Sequence, residues 1–484
     1  MTTISQPSAA DILAKAEELR WQIGSNIHQE LLEAIYADAA RIADRAVTRP
    51  DEAPHFDLDS TIDRLVTSRI WGFPIMMLML SIVFWLTIAG ANVPSAMLSS
   101  LLLETVYPLL KGIAGSVGLV WWLDGLLIDG IYLSTAWVIS VMLPPMAIFF
   151  PLFTLLEDFG YLPRVAFNMD NIFRKVGGHG MQAMTMAMGW GCNAAGVIAT
   201  RIIDSPRERL IAIITNNFAL CNGRWPTQIL IATLFIGTLF PTHVAGLVSA
   251  MAVVGITVLG ILLTFVVSWT LSQTVLRGEA STFSLELPPY RPPRILQTIY
   301  TSLIDRTLVV LMRAVLWAIP AGALIWLTSN IYLGLAAGSG HAMSIAEHLV
   351  VSLNPFGLLL GLNGVILLAY ILAIPANEIV IPTVLMLTVL SARITDFGAG
   401  AGVMFETGSE TQLLSIFTSG GWTLLTAVNL MLFSLIHNPC STTIHTIYRE
   451  TRSAKWTIVA SVLPVAMGLA ATFIVAQMWR LLAM

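Results

Sequence analysis

The chain has 484 residues, 56% of them hydrophobic and 11% charged, with a mean hydropathy of +0.78. That composition excludes a soluble enzyme and calls for many membrane crossings, each of about 20 mostly apolar residues. A net charge of −4 gives no basis for nucleic-acid binding, and the three cysteines, far apart in sequence, form neither a disulfide framework nor a CxxC site.

The first 65 residues are polar and helix-forming and carry no apolar signal-peptide core. Apolar residues at three-to-four spacing (Ile12, Ala16 and Leu19, then Leu31, Ile35 and Ile42) predict soluble amphipathic helices. A polar break, Thr48 to Pro54, leads to a short basic helix over Ile62–Arg69, whose Arg64 and Arg69 place this side in the cytoplasm. The first span is expected over 70–91, with 97–130, holding Lys111, Asp124 and Asp129, as an external connection. The second span, 132–156, contains Pro144-Pro145 and should kink. A basic loop follows with Arg164, Arg174 and Lys175, then a short segment over 181–200, then a second basic loop with Arg201, Arg207 and Arg209. Two positive loops around one short segment favour re-entry from the inside over a full crossing.

Ser205-Pro-Arg-Glu208 reads as a capping box with Pro at the first helical position, opening a helix that runs to about Cys221. Asn222-Gly-Arg-Trp-Pro226 breaks it, and the chain continues to about 240. A span over 244–275 returns to a basic, Pro-rich loop, 277–306, before a crossing over 308–331. The connection 332–355 has no Lys or Arg and suits the outside. Residues 356–391 form a second broken segment, interrupted at Pro375-Ala-Asn-Glu-Ile-Val-Ile-Pro382, and spans at 420–438 and 456–479 close the chain around Arg449, Arg452 and Lys455. The fold class expected is therefore an all-α polytopic membrane protein of roughly eight to ten segments, in two pseudo-symmetric inverted gate repeats with discontinuous helices and a midplane site. Its expected divisions are a soluble region 1–65, a first gate half 66–276, the loop 277–306 and a second gate half 307–484.

The chemistry concentrates at the breaks. Gly189-Trp-Gly-Cys-Asn193 sets a thiol, Cys192, and an amide, Asn193, among glycines in an apolar segment. Irregular backbone inside a membrane is tolerated only where it lines a cavity or is buried in protein, and sulfur beside carbonyl groups suits a soft or borderline metal ion. Cys221 repeats the device at the next break. Glu378, flanked by prolines beside Asn377, is costly in a membrane and reads as functional, the alternative being an ion pair with a neighbouring arginine. Cys440, in His437-Asn-Pro-Cys440, is placed where a span leaves for the cytoplasm, with His437 near enough to assist; a Pro-initiated helix start explains it equally well. Met184 and Met188 lie at helical spacing on the face that reaches Cys192, more often a packing stripe than a ligand set. No GxxxxGK[ST] occurs, so this stretch of chain is expected to bind no nucleotide.

These segments together resemble the membrane part of the FeoB family of bacterial ferrous-iron transporters. The likeness is carried by Leu156-Glu-Asp-Phe-Gly-Tyr-Leu-Pro-Arg164, Gly189-Trp-Gly-Cys-Asn193, Cys221-Asn-Gly-Arg-Trp-Pro226, Leu285-Glu-Leu-Pro-Pro-Tyr-Arg291, Pro375-Ala-Asn-Glu378 and Pro439-Cys-Ser-Thr-Thr443, in the family's order. Residues 30–46 resemble the end of the helical spacer that precedes the family's membrane domain. The resemblance implies Fe²⁺ as transported substrate, with Cys192, Asn193, Cys221, Glu378 and Cys440 on its path and Met184 and Met188 as weaker candidates. It also implies a multi-pass protein of the bacterial inner membrane with a cytoplasmic N-terminus, in contact with lipid and open to homo-oligomerisation. The family's G-protein domain has no counterpart in this sequence, so the resemblance implies either a separate FeoB-type GTPase chain docking on residues 1–65 or a form that works without one, with a small FeoA-like protein as a further candidate partner. The sequence departs from the family at Asn222-Gly223, Trp225, Trp190 and Ala194-Ala195. A carrier of nucleosides or other small organic solutes, or a membrane anchor for a separate GTPase, are the alternatives.

Overall fold

The computed structural model describes residues 27–46, 58–68, 70–277, 294–335, 342–394, 403–405 and 410–483. The expected helix around Ile12 to Leu19, the Thr48–Pro54 break, Arg69 and most of the Pro-rich loop, including Leu285–Arg291, lie outside the described residues. Helix α1 (Ile27–Ala46) keeps the expected amphipathic stripe, with Leu31, Ile35 and Ile42 exposed. Helix α2 (Leu58–Val66) packs at the foot of the membrane part, where Asp63 pairs with the buried Arg164 at 2.8 Å.

Among the described residues five helices are long and apolar enough to cross a membrane: α3 (Gly72–Val117), α4 (Trp121–Asp158), α10 (His243–Gln273), α11 (Ile295–Asn330) and α18 (Ala454–Leu482). The remaining expected segments are not simple crossings but short or bent helices. The first two spans are longer than expected, because the connection 97–130 is itself a helical hairpin that continues them. Its few charges neutralise one another: Lys111 Nζ reaches Asp124 at 2.8 Å and Asp129 at 2.7 Å, and the Tyr107 hydroxyl donates to Asp129 at 2.6 Å. With those charges paired, nothing interrupts the helices except Gly118, whose φ of 69° makes the turn. At 46 residues α3 is about 70 Å long, over twice the hydrocarbon thickness, so the hairpin projects beyond it. Helix α4 continues through Pro144 and Pro145.

The first gate motif follows α5 (Tyr161–Lys175). Helices α6 (Met181–Gly191) and α7 (Asn193–Ala199) form a re-entrant pair: the chain reverses at Cys192, and Gly196 of α7 returns to lie against the Thr185 carbonyl of α6. Next comes a span broken at its centre, α8 (Pro206–Thr215) and α9 (Trp225–Leu239). Ser205 caps α8 through the Glu208 amide, as its sequence implies. The helix stops at Thr215, six residues short of the expected end, because Asn216 and Asn217 turn their amides to main-chain oxygens elsewhere, Asn193 O and His437 O, each at 2.9 Å.

The second motif is built from similar parts. After a short hairpin, β1 (Tyr332–Leu335) with β2 (Ala342–Ser344), helix α12 (Ile345–Leu359) starts with a full capping box between Ser344 and Glu347 and bends by 112° into α13 (Gly364–Leu372). Helix α14 (Val380–Ala392) reverses direction and packs on α13. Helix α15 (Glu410–Ser419) turns by 100° into α16 (Leu424–Leu435), and α17 (Ser441–Thr451) completes a second centrally broken span. The stretch 420–438 is thus not a crossing: α16 has 12 residues, about 18 Å, and ends halfway. The most continuous core surrounds α13, α14 and α16, where Ile366, Ile379, Val384, Leu385 and Leu430 are fully buried.

Candidate functional site

Each half contributes two interrupted elements, and all four interruptions meet at one point. Asn222 donates its amide N–H to Gly191 O at 3.1 Å, joining the two breaks of the first half. Ser441 N donates to Ile374 O at 2.9 Å, joining the two of the second. Arg224 ties one half to the other. This guanidinium is 1% exposed and donates to Asn217 O and Leu435 O at 3.0 Å, Asn438 O at 3.2 Å and His437 O at 3.4 Å. A buried charge in a membrane protein is tolerated only where such acceptors surround it.

The two re-entrant breaks share one backbone device. Cys192 has φ −152° and ψ 121°; Ala376 has φ −150° and ψ 123°; each is followed by an asparagine that starts the next helical turn. The glycines around Cys192 do not make this break, contrary to what their number suggests. The reversal is at Cys192 itself, in ordinary extended backbone, while Gly189 and Gly196 leave room for the Asn216 side chain, whose Oδ1 a Cβ at either position would strike.

Between the breaks lies a cavity of about 30 Å³ lined by Cys192, Asn193, Cys221, Asn377, Glu378 and Cys440. Five of the seven residues singled out from the sequence therefore come together. Cys440 is not past the end of a span but at the N-terminal boundary of α17, inside this cavity, with its Sγ 3.2 Å from Thr443 Oγ1. Asn193 donates its side-chain NH2 to the carbonyl oxygens of Gly189 (2.9 Å) and Ala219 (3.1 Å). Asn377 bridges Cys221 Sγ at 3.8 Å and His437 Nε2 at 3.1 Å with the two ends of its amide. His437 Nδ1 meets Ser434 O at 2.9 Å, so both ring nitrogens are engaged and the ring serves to orient Asn377 rather than to face the cavity as a free ligand. Glu378 is half-buried against Gly223 and makes no direct ion pair among the described residues, the Arg224 guanidinium acting on it only from a longer distance.

Met184 and Met188 are not brought to this cavity. They are buried among Phe149, Phe150 and Phe153, a packing stripe whose other side borders a second, larger chamber. Arg224 and Asn217 were not singled out by sequence reasoning; an arginine one residue after a mid-helix glycine in an apolar segment was the available signal. Among the described residues no three His, Cys, Asp or Glu side chains are placed to hold a metal ion together. What the cavity offers is an open set of thiol, amide and carboxylate groups. Such a set can bind a borderline cation weakly enough to release it.

Comparison with known proteins finds two family matches and several relatives. The family described as "Gate: Nucleoside recognition" matches residues 139–235, which include Cys192, Cys221 and Arg224. The family described as "Ferrous iron transport protein B C terminus" matches residues 253–305. The Fe(2+) transporter FeoB of Staphylococcus aureus (strain MSSA476) is 29% identical over 436 residues, covering 90% of this chain and 61% of that protein. Over most of its own length the chain is similar to FeoB proteins. The FeoB of Campylobacter jejuni (strain ATCC 700819 / NCTC 11168) is 26% identical over 83% of the chain and 62% of its own length. An Fe(2+) transport protein A/FeoB fusion protein of Porphyromonas gingivalis (strain ATCC BAA-308 / W83) is 34% identical over 49% of the chain and 26% of its own length. The chain thus spans less than two thirds of these FeoB relatives. No solved structure matches it.

Proposed function

We propose that this multi-pass membrane protein conducts Fe²⁺ through the cavity between the four breaks, with Cys192, Cys221, Cys440, Asn193 and Glu378 as successive or shared ligands. The observation that carries the reading is the convergence of all three cysteines and an unpaired carboxylate, from both halves, on one small cavity. Fe²⁺ accepts thiolate, carboxylate and amide oxygen together, and the relatives are named for its transport. The nucleoside reading finds support in the gate-family match. Size argues against it: about 30 Å³ holds a water or a partly dehydrated ion, whereas pockets for organic ligands measure about 300 Å³ or more. An anchor for a GTPase would need no thiols here at all.

Charge orients the protein. Arg64, Arg174, Lys175, Arg201, Arg207, Arg306, Arg449 and Lys455 gather at one end of the bundle, drawn together by the Asp63–Arg164, Glu157–Arg306 and Arg201–Glu450 pairs, and by the positive-inside rule this end is cytoplasmic. The membrane is then the bacterial inner membrane, with the N-terminus inside. A separate G-protein chain would dock on residues 1–65, where α1 presents an exposed apolar stripe, and a small FeoA-like protein is a second partner, suggested by the fused relative. Purified chain in sealed vesicles, given radiolabelled Fe²⁺ or a radiolabelled nucleoside with and without a candidate GTPase, tests the reading. Accumulation of iron and not of nucleoside is expected; accumulation of nucleoside alone would overturn it.

A further inference from the structure

A chamber of about 410 Å³ lies on the positive side of the thiol cavity, and the two share Val310 as part of their walls. Two short helices run from one to the other and pack together. Helix α7 begins after Cys192 and passes into the turn that holds Arg201; α17 begins after Cys440 and holds Arg449 in its last turn. Each therefore has a thiol at the small cavity and a guanidinium at the chamber.

Four arginines and three carboxylates line the chamber. Two of the carboxylates are already engaged. Glu450 takes the guanidinium of Arg201 through two bonds of 2.8 and 2.6 Å, and this keeps Arg201 firmly in its charged form. Glu157 lies 3.3 Å from Arg306, whose other amino group donates to Thr154 Oγ1 at 2.9 Å. Arg313, half-buried on α11, and Arg449 pair with no carboxylate among the described residues, and the third acid, Asp305, is exposed. The chamber is left with a positive excess and two guanidinium forks from different elements facing one space. A site of that sign repels a bare dication and concentrates anions. Planar guanidinium forks are matched to carboxylate and phosphate oxygens.

We propose that this chamber binds an anionic phosphate group through at least two of its non-bridging oxygens, held by Arg313 and Arg449. A free phosphate and the headgroup of an anionic lipid present the same chemistry at this depth, and experiment separates them. The full chain would be placed in nanodiscs of phosphatidylcholine alone and titrated with inorganic phosphate by calorimetry; in parallel, phosphatidylglycerol would replace a fifth of the lipid and the unfolding temperature would be followed. In wild type one of these ligands should bind or stabilise. Arg313→Gln with Arg449→Gln should weaken that effect at least tenfold, while Arg277→Gln, outside the chamber, should leave it unchanged. The paired Arg→Lys changes should give an intermediate loss and show that the chain still folds. Phosphate binding lost in the double variant identifies a soluble anion; stabilisation by phosphatidylglycerol lost in it identifies a lipid. No response to either ligand in wild type, or an equal response in wild type and the double variant, overturns the proposal. Iron is absent throughout, so the result stands apart from the transport reading.

Discussion

The two re-entrant breaks differ in ligand chemistry while sharing a backbone. Cys192-Asn193 and Ala376-Asn377 adopt nearly identical extended-then-helical conformations, so the thiol of the first half corresponds to a methyl group in the second. The second half makes up the deficit one residue later with Glu378. Under the proposed function, one structural device would supply a soft ligand from one side and a hard ligand from the other, a combination suited to a borderline ion such as Fe²⁺. The centrally broken spans show the same inequality: the first carries both a thiol, Cys221, and the charge that holds the halves together, Arg224, while the second carries Cys440 and contributes mainly acceptor carbonyls.

Breaking the joint between halves should have the largest effect. Arg224→Gln removes a charge whose donors satisfy carbonyls of residues 217, 435, 437 and 438. A loss of about 3–5 kcal/mol is expected, as for other disrupted buried networks, read as a clear fall in the unfolding temperature in detergent together with loss of transport. A variant as stable as wild type would show that the halves are held elsewhere. Perturbing only the carboxylate side should cost less. A Cβ at position 223 would stand 2.5 Å from Glu378 Oε1, so Gly223→Ala should push the carboxylate aside and lower Fe²⁺ uptake several-fold at normal abundance. Unchanged uptake would mean that Glu378 need not occupy its present position. The smallest effect belongs to the methionines: Met184→Leu or Met188→Leu exchanges one packed side chain for another. Uptake should stay within about twofold and stability within about 1.5 kcal/mol; a tenfold loss of uptake would return these residues to the path.

The breaks were legible in the sequence because Cys192, Asn193, Cys221 and Glu378 are polar or reactive groups among Gly and Pro inside apolar runs, where such groups are expensive. The charge of the loops, with arginines crowding one set of them, is what suggested opposed entry of the two halves. Other features depend on contacts that local pattern does not record. Methionines at helical spacing look the same whether they pack or ligate, and the aromatic neighbours of Met184 and Met188 become visible only in the fold. The run 420–438 is long and apolar enough for a span, yet the chain turns sharply before α16, so Cys440 falls in the cavity instead of at the exit. The 97–130 hairpin was hidden because its charges cancel across 13 and 18 residues. Arg224 finds its partners more than 200 residues away, at Leu435, His437 and Asn438. One missed element did carry a local sign: Ser344-Ile-Ala-Glu347 is a capping box at the start of α12, within a stretch read only as an external connection.

The central claim is that both halves act on one ion in one cavity. It is tested most directly by a double-mutant cycle of Fe²⁺ uptake with Cys192→Ser from the first half and Glu378→Gln from the second, at matched abundance in sealed vesicles. Each single change should lower the uptake rate about tenfold, or roughly 1.4 kcal/mol. If the two groups share an ion, the double variant should lose little beyond either single one, a coupling of about 1 kcal/mol or more. A hundredfold loss, additive within about 0.5 kcal/mol, would mean that the two groups act at separate sites and would contradict the shared cavity.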